Sequence, residues 1–186
     1  MHKTIFFLAL ILSSTLAQAV ELTIDAPNML RAGDLIQFRA VVIDRGFTTD
    51  VTRSTRFAAP YREEGPGLFQ IEPTLFGEDQ YFTLTAKYTD QNGEVINAQK
   101  QILVTSRPDY VLAQGPRYVD PRFVYKIFNQ AHFGDKTFDV AGKSRWQSYC
   151  GIVDSEGVYH PRISHCNERL TLLYGGHLQD LYFVVY

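Results

Sequence analysis

Cys150 and Cys166 are the only two cysteines of the chain, and three of its five histidines, His160, His165 and His177, lie in the same C-terminal stretch. A thiol with an imidazole partner is the raw material of a cysteine nucleophile. Cys150, however, sits in Tyr149-Cys150-Gly151-Ile152, which does not open a helix, so no helix N-terminus is at hand to lower the thiol pKa. The pair reads more simply as one disulfide, the usual fate of two cysteines in an exported chain. Closing a loop of about 15 residues contributes roughly 3 kcal/mol in the chain-entropy model.

The histidines also raise a metal alternative. His160, His165 and His177, with an oxygen from Asp154 or Glu168, would supply the three or four ligands that zinc takes at about 2 Å. Pro161 interrupts the His160–His165 spacing, which is not that of two ligands on one helix face, so the plainer reading is loop histidines held by hydrogen bonds. A third group is aromatic: Trp146, Tyr149, Tyr159, Tyr174, Tyr182 and Tyr186, with Arg145 and Arg162 nearby. Aromatic faces beside polar groups suit recognition of a protein or a sugar, although strand propensity alone also selects them. From this group Trp146, Tyr149, Tyr159 and Arg162 are the expected binding residues. No catalytic residue, resident metal or cofactor is implied. The acid pairs Glu63-Glu64 and Glu78-Asp79 stand in loops without a calcium-loop pattern and read as solvated punctuation.

These residues need elements to hold them. A short basic start at His2-Lys3, an apolar run from Ile5 to Leu12 and Ala17-Gln18-Ala19 form a secretory leader over 1–19, too short to span a bilayer. With 18 basic against 20 acidic residues, the chain has no nucleic-acid footprint, and no later segment is apolar enough to be transmembrane. Phe82, Leu84, Ala86 and Tyr88 alternate with Tyr81, Thr83, Thr85 and Lys87; Asp90-Gln91-Asn92-Gly93 turns; Ile96, Ala98, Ile102 and Val104 resume the alternation. That predicts an antiparallel hairpin with Lys100 as the one misfit on its inner face. Glu21–Ala26, Asp34–Ile43, Thr55–Ala59 and Leu68–Ile71 are further strands, and Ser106-Arg107-Pro108-Asp109 closes the first unit. Beyond it, Asp120 as an N-cap, Pro121 at the first turn, and Phe123, Val124, Ile127, Phe128 and Ala131 on one face predict a helix ended by Gly134. Short strands follow at Thr137–Val140, Gln147–Val153, Val158–His160, Leu170–Tyr174 and Leu181–Tyr186. No internal repeat is evident at this level.

Gly33 with IQFRAVV, Asp50-Val51-Thr52, the TRF ending at Phe57, Phe69-Gln70-Ile71 and FTLTAKY over 82–88 resemble the bacterial immunoglobulin-like domains of surface and periplasmic proteins, including those of the invasin and intimin kind. The resemblance covers Glu21 to about Ser106 and implies a β-sandwich that serves as spacer, scaffold or binding module. The family commonly has Trp where this chain has Phe57. The expected organisation is therefore a leader (1–19), an immunoglobulin-like β-sandwich (20–106) and a disulfide-containing α+β domain with one helix on an antiparallel sheet (107–186), mainly β overall. The expected function is a non-enzymatic periplasmic or secreted protein recognising an envelope protein or glycan. A hydrolase with a histidine-based site in the second domain is the alternative, and an oligomer joined through an exposed sheet edge is the third reading.

Overall fold

The computed structural model describes residues 20–186; the leader expected over 1–19 lies outside the described residues. Period-two alternation in the first half produces β1 (Glu21–Asp25), β2 (Met29–Arg31), β3 (Leu35–Gln37), β4 (Arg39–Asp44), β5 (Phe47–Asp50), β6 (Thr55–Ala58), β7 (Arg62–Gly65), β8 (Leu68–Gln70), β9 (Gln80–Thr89) and β10 (Val95–Thr105). They form sheets of order β1-β4-β5, β2-β10-β9-β6 and β3-β8-β7. Leu22, Val42, Phe69, Leu84 and Ile102, drawn from all three sheets, share one buried cluster, so the layers close face to face as a sandwich. The predicted hairpin is β9–β10, with Ile102 opposite Phe82 and Ala98 opposite Ala86. At its turn the Asp90 carboxylate accepts the N–H groups of Asn92 and Glu94, and Gly93 takes a φ of 82°. Lys100 stays on the inner face by donating its Nζ to the carbonyl of Ala26 at the sandwich edge.

One predicted strand, Asp34–Ile43, is broken. The N–H of Phe38 leaves the ladder for the carbonyl of Gly67 at 2.8 Å, so β3 pairs with β8 while β4 pairs with β1. A single apolar run thereby serves two sheets, which sandwiches use to turn a corner.

The second half holds the main correction. It contains β11 (Tyr110–Gln114), β12 (Tyr118–Val119), β13 (Tyr125–Lys126), β14 (Phe128–Phe133), β15 (Lys136–Asp139), β16 (Arg145–Gln147), β17 (Gly151–Val153), β18 (Val158–Pro161), β19 (Cys166–Tyr174) and β20 (His177–Val185). The helix predicted after Asp120 does not form, and the α+β assignment gives way to a fold that is mainly β throughout. Ile127, Asn129, Ala131 and Phe133 are buried in alternation, which is strand periodicity disguised by a polar residue on the inner face. Asn129 donates its Nδ2 to Ser144 Oγ at 2.7 Å there, while its Oδ1 is buried without a partner. Phe123 and Val124, the supposed start of the helical face, are exposed in a turn. Asp120 does cap, but it caps that turn, accepting the N–H of Arg122 at 2.9 Å. The predicted strand Gln147–Val153 is likewise divided, into β16 and β17.

The expectation of no internal repeat also fails. The second half forms sheets β11-β14-β15, β12-β20-β19-β16 and β13-β18-β17, so each strand repeats the one ten places earlier in order and partner. Both β2–β10 and β12–β20 are parallel pairs, the other strand pairs being antiparallel. At one constant spacing, without a gap, Pro27 matches Pro116, Asp50-Val51 matches Asp139-Val140, and Arg56 matches Arg145. The short 3₁₀ turns agree in detail: Val51 and Val140 cap them at φ −116° and −115°. Asp50 and Asp139 accept the N–H of Thr52 and Ala141, and the Thr55 and Ser144 hydroxyls donate back to Val51 and Val140.

The two units meet through loops of the first and one end of the second. Gly77 lies against Gly175, whose N–H donates to Phe76 O at 3.0 Å, and the Tyr174 hydroxyl reaches Thr74 O at 3.1 Å. Lys143 pairs with Glu72, and Arg145 pairs with Glu78 while its guanidinium lies 4.6 Å from the Phe76 ring centroid. Ala32 of the first unit is buried with Phe133, Val140 and Tyr174 of the second.

Candidate binding face

The cysteines form the expected disulfide, Cys150 to Cys166, with a Cα separation of 6.2 Å. Beside it lies the most heavily coordinated buried side chain among the described residues. Glu168 on β19 is 2% exposed, and its carboxylate accepts Ser148 Oγ–H at 2.6 Å, Tyr149 N–H at 2.8 Å, Cys150 N–H at 2.9 Å and Tyr159 O–H at 2.7 Å. Burial pushes its pKa up, but the four donated hydrogen bonds outweigh this and hold it below the ordinary value. The Tyr159 hydroxyl is pushed well above its usual range by burial and by its bond to that carboxylate. Glu168 therefore anchors the segment carrying Cys150, a structural role rather than the metal oxygen considered for it.

The predicted site residues are placed as follows. Tyr159 is fully buried against Phe183, so it has no ligand-facing surface. Trp146 is half-buried between two core clusters, its indole N–H donated to Ala141 O at 2.8 Å. Tyr149 is exposed, and so is Arg162, whose backbone N–H is tied to Cys150 O. Of the four, only Tyr149 and Arg162 are exposed.

The histidines are not brought together. His160 Nε2 lies 2.8 Å from Asp154, whose carboxyl is held down to about 2 by that bond and by the N–H of Val158. His177 faces Pro108 O at the Tyr174 end of the β19–β20 ribbon, while His165 precedes Cys166 at the other end. Eight residues of extended chain between those ends span about 26 Å. The metal triad considered from sequence is thus dispersed. The acid pairs are also engaged: Glu63 accepts Gly67 N–H, Glu64 pairs with Arg62, and Glu78 pairs with Arg145 across the two units.

A different surface gathers the solvent-facing aromatics. Alternation turns Leu178, Asp180, Tyr182 and Val184 of β20 outward from the core that holds Leu181, Phe183 and Val185. Across the ladder Tyr182 faces Arg169, Asp180 faces Thr171 and Leu178 faces Leu173, while Tyr118 of β12 faces Val184. Tyr118 packs on Tyr186, ring centroids 5.7 Å apart, and Tyr182 is 69% exposed. Arg169 and Asp180 pair at 2.8 Å in the middle of the face, each largely cancelling the other's charge. A shallow groove lined by Gln147, Tyr149, Asn167, Arg169 and Thr171 runs alongside.

The first unit supplies an internal control. On the equivalent face, Gln101 stands where Tyr182 does, Asn97 where Leu178 does, Lys87 where Leu173 does and Thr83 where Arg169 does, while exposed Met29 stands where Tyr118 does and exposed Tyr81 where Asn167 does. The same sheet face thus occurs twice, differing in its middle and at its turn end: Gln101, Asn97 and Lys87 in the first unit against Tyr182, Leu178 and Leu173 in the second. Sequence reading missed Tyr118, Leu178 and Arg169 as surface partners; the alternation of Leu178, Asp180 and Tyr182 was the available signal. In comparisons with known proteins, no family model matches the chain, and no curated protein shows significant similarity to it.

Proposed function

We propose that the protein is a non-enzymatic recognition module of the bacterial envelope, periplasmic or secreted, which binds a protein or glycan through the outer face of β12-β20-β19-β16. The carrying observation is the contrast between the two units. The first unit keeps the middle of this face polar with Gln99, Gln101, Thr83 and Thr85, its exposed Met29 and Tyr81 lying together at one end. The second unit places Tyr118, Tyr182, Leu178 and Tyr149 on or beside the same face without needing them for its core. Tyrosines offer broad contact at small entropic cost, and the amides and hydroxyls of Gln147, Asn167 and Thr171 add directional bonds. The disulfide fits a life outside the reducing cytosol. The immunoglobulin-like reading is supported by the repeat itself: the tryptophan that such domains commonly carry at the position of Phe57 is present at the equivalent Trp146.

The test is capture from envelope extract, with a panel of polysaccharides as a second arm, comparing the wild-type protein with a Tyr118→Ser, Tyr182→Ser double variant. Both side chains are exposed, so the thermal midpoint should stay within experimental error while affinity falls by about tenfold or more. Equal capture by both proteins would remove this face from the reading.

A further inference from the structure

We propose that the ligand of the outer face of β12-β20-β19-β16 is a neutral oligosaccharide, lying along β19 in the groove beside Tyr149; this rests on the binding face described above and names the class of molecule that the face takes. The groove has a volume of about 470 Å³ and is lined by Gln147, Tyr149, Asn167, Arg169, Thr171 and Leu178. Rings stand on both sides of it. Tyr149 is 78% exposed, and the exposed Tyr182 lies opposite Arg169 on the neighbouring strand. Such rings offer an apolar face to the C–H side of a sugar and a hydroxyl at the rim.

The polar groups of the groove divide into engaged and open ones. Arg169 and Thr171 both donate to Asp180, at 2.8 and 2.5 Å, and Ser148 Oγ donates to Glu168 while accepting Gly151 N–H. Gln147 and Asn167 are exposed, and among the described residues nothing in the chain hydrogen-bonds their side chains. A carboxamide both donates and accepts, so it meets a hydroxyl in either sense. Gln147 lies opposite Thr171, and Asn167 is four positions from Thr171 on the same strand, which sets the two amides about 14 Å apart along β19. A single sugar ring does not reach from one to the other; a chain of sugars does.

Charge and the placing of the apolar residues select among ligands. Arg169, the one cation in the groove lining, is neutralised by Asp180, and Arg145, next along the face, is held by Glu78 of the first unit. An acidic ligand would have to compete with one of these carboxylates, whereas a neutral one leaves both pairs intact. A protein partner is held best through an apolar cluster at the centre of its contact. Here the apolar residues are parted: Leu173 and Leu178 stand at the turn end and Tyr118 with Tyr186 at the other, the Arg169–Asp180 pair lying between them. At the corresponding positions the first unit has Ala58 for Gln147 and Tyr81 for Asn167, so this pair of amides is peculiar to the second unit.

The experiment is titration calorimetry of the protein with neutral oligosaccharides of the gluco, manno, galacto and N-acetylglucosamine series, and with an oligogalacturonide as the acidic counterpart. At least one neutral series should bind, with an affinity that does not change as salt is raised, because no ion pair forms on binding. Gln147→Ala and Asn167→Ala should each weaken that binding by about tenfold through the hydrogen bonds they remove. Both side chains are exposed, so unchanged thermal midpoints are the check on folding. Failure of every neutral series to bind, preference for the oligogalacturonide with loss at high salt, or equal affinity in both amide variants would each overturn the proposal. The two readings fail separately. An envelope protein captured by wild type, lost by the Tyr118→Ser, Tyr182→Ser variant and displaced by none of the sugars overturns the glycan and keeps the face, whereas equal capture by that variant removes the face itself.

Discussion

Replacing Glu168 by alanine should lower the stability of the protein by about 4 kcal/mol, because it strands four donors at once, two of them buried and two part-buried. Ser148 Oγ–H, the N–H groups of Tyr149 and Cys150, and Tyr159 O–H all point at this carboxylate. Leucine should rescue little, since it fills the space but accepts no hydrogen bond. Chemical denaturation monitored by circular dichroism measures the loss; a change below about 1 kcal/mol would mean that water or another acceptor serves these donors equally well. The same residue gives the acid response a sign. Its pKa is lower in the folded state than the ordinary 4.5, so its contribution is complete above that value and is lost as pH falls through the folded one. Glu168→Gln should accordingly flatten the stability profile below pH about 4.5 relative to wild type. Reduction of the neighbouring disulfide, which spans 16 positions, adds a separate loss of about 3 kcal/mol.

The second large effect is expected at Gly77. A Cβ there would lie 2.4 Å from Gly175 N and 2.5 Å from its Cα, and Gly77 has a φ of 67°. The neighbour is backbone and has nowhere to move without breaking the bond between Gly175 N–H and Phe76 O. Gly77→Ala should therefore cost about 3 kcal/mol at the junction, through strain and displaced packing together. Gly93→Ala is the control: its φ is 82° with nothing within 4 Å, so only backbone strain of about 1–2 kcal/mol applies. The readout is protease cleavage in the linker over 106–109. Faster cleavage in Gly77→Ala than in Gly93→Ala, with both units still folded, is the expected outcome; equal rates would show that the junction does not depend on this contact.

What could be read in the chain depended on how faithfully each strand advertised its period. β9 and β10 were plain because Phe82 to Tyr88 and Ile96 to Val104 alternate with a single exception, Lys100. β14 was opaque because Asn129 occupies an inner position and Phe128 an outer one, which shifts the apparent repeat from two toward helical spacing. The disulfide was legible from compartment and count, while its buried neighbour Glu168 was not, since a carboxylate inside a core becomes sensible only once its four donors are in place. The duplication was hidden for the same reason. Position by position the units solve one packing problem differently: Tyr61 packs edge-on to Phe82 in the first, while in the second Glu168 stands where Phe82 does, next to the disulfide. Geometry was kept where chemistry was exchanged. The binding residues fared worst: with burial unknown, Tyr159 and Tyr182 are equally plausible as contacts, and they prove to lie inside the core and outside it.

The parallel pairing of β2 with β10 and of β12 with β20 has a mechanical consequence. Chain entry and chain exit lie at opposite poles of each unit, so a pull between them drags neighbouring strands lengthwise past each other. Their hydrogen bonds must then yield together, not in zipper fashion one after another. A molecule so constructed would bear tension well along its length, and the cystine, which ties the start of β19 to the bend before β17, would spare that part of the second unit from unravelling. Single-molecule stretching should register abrupt, high-force ruptures; gradual low-force peeling would show that the strands do not shear together.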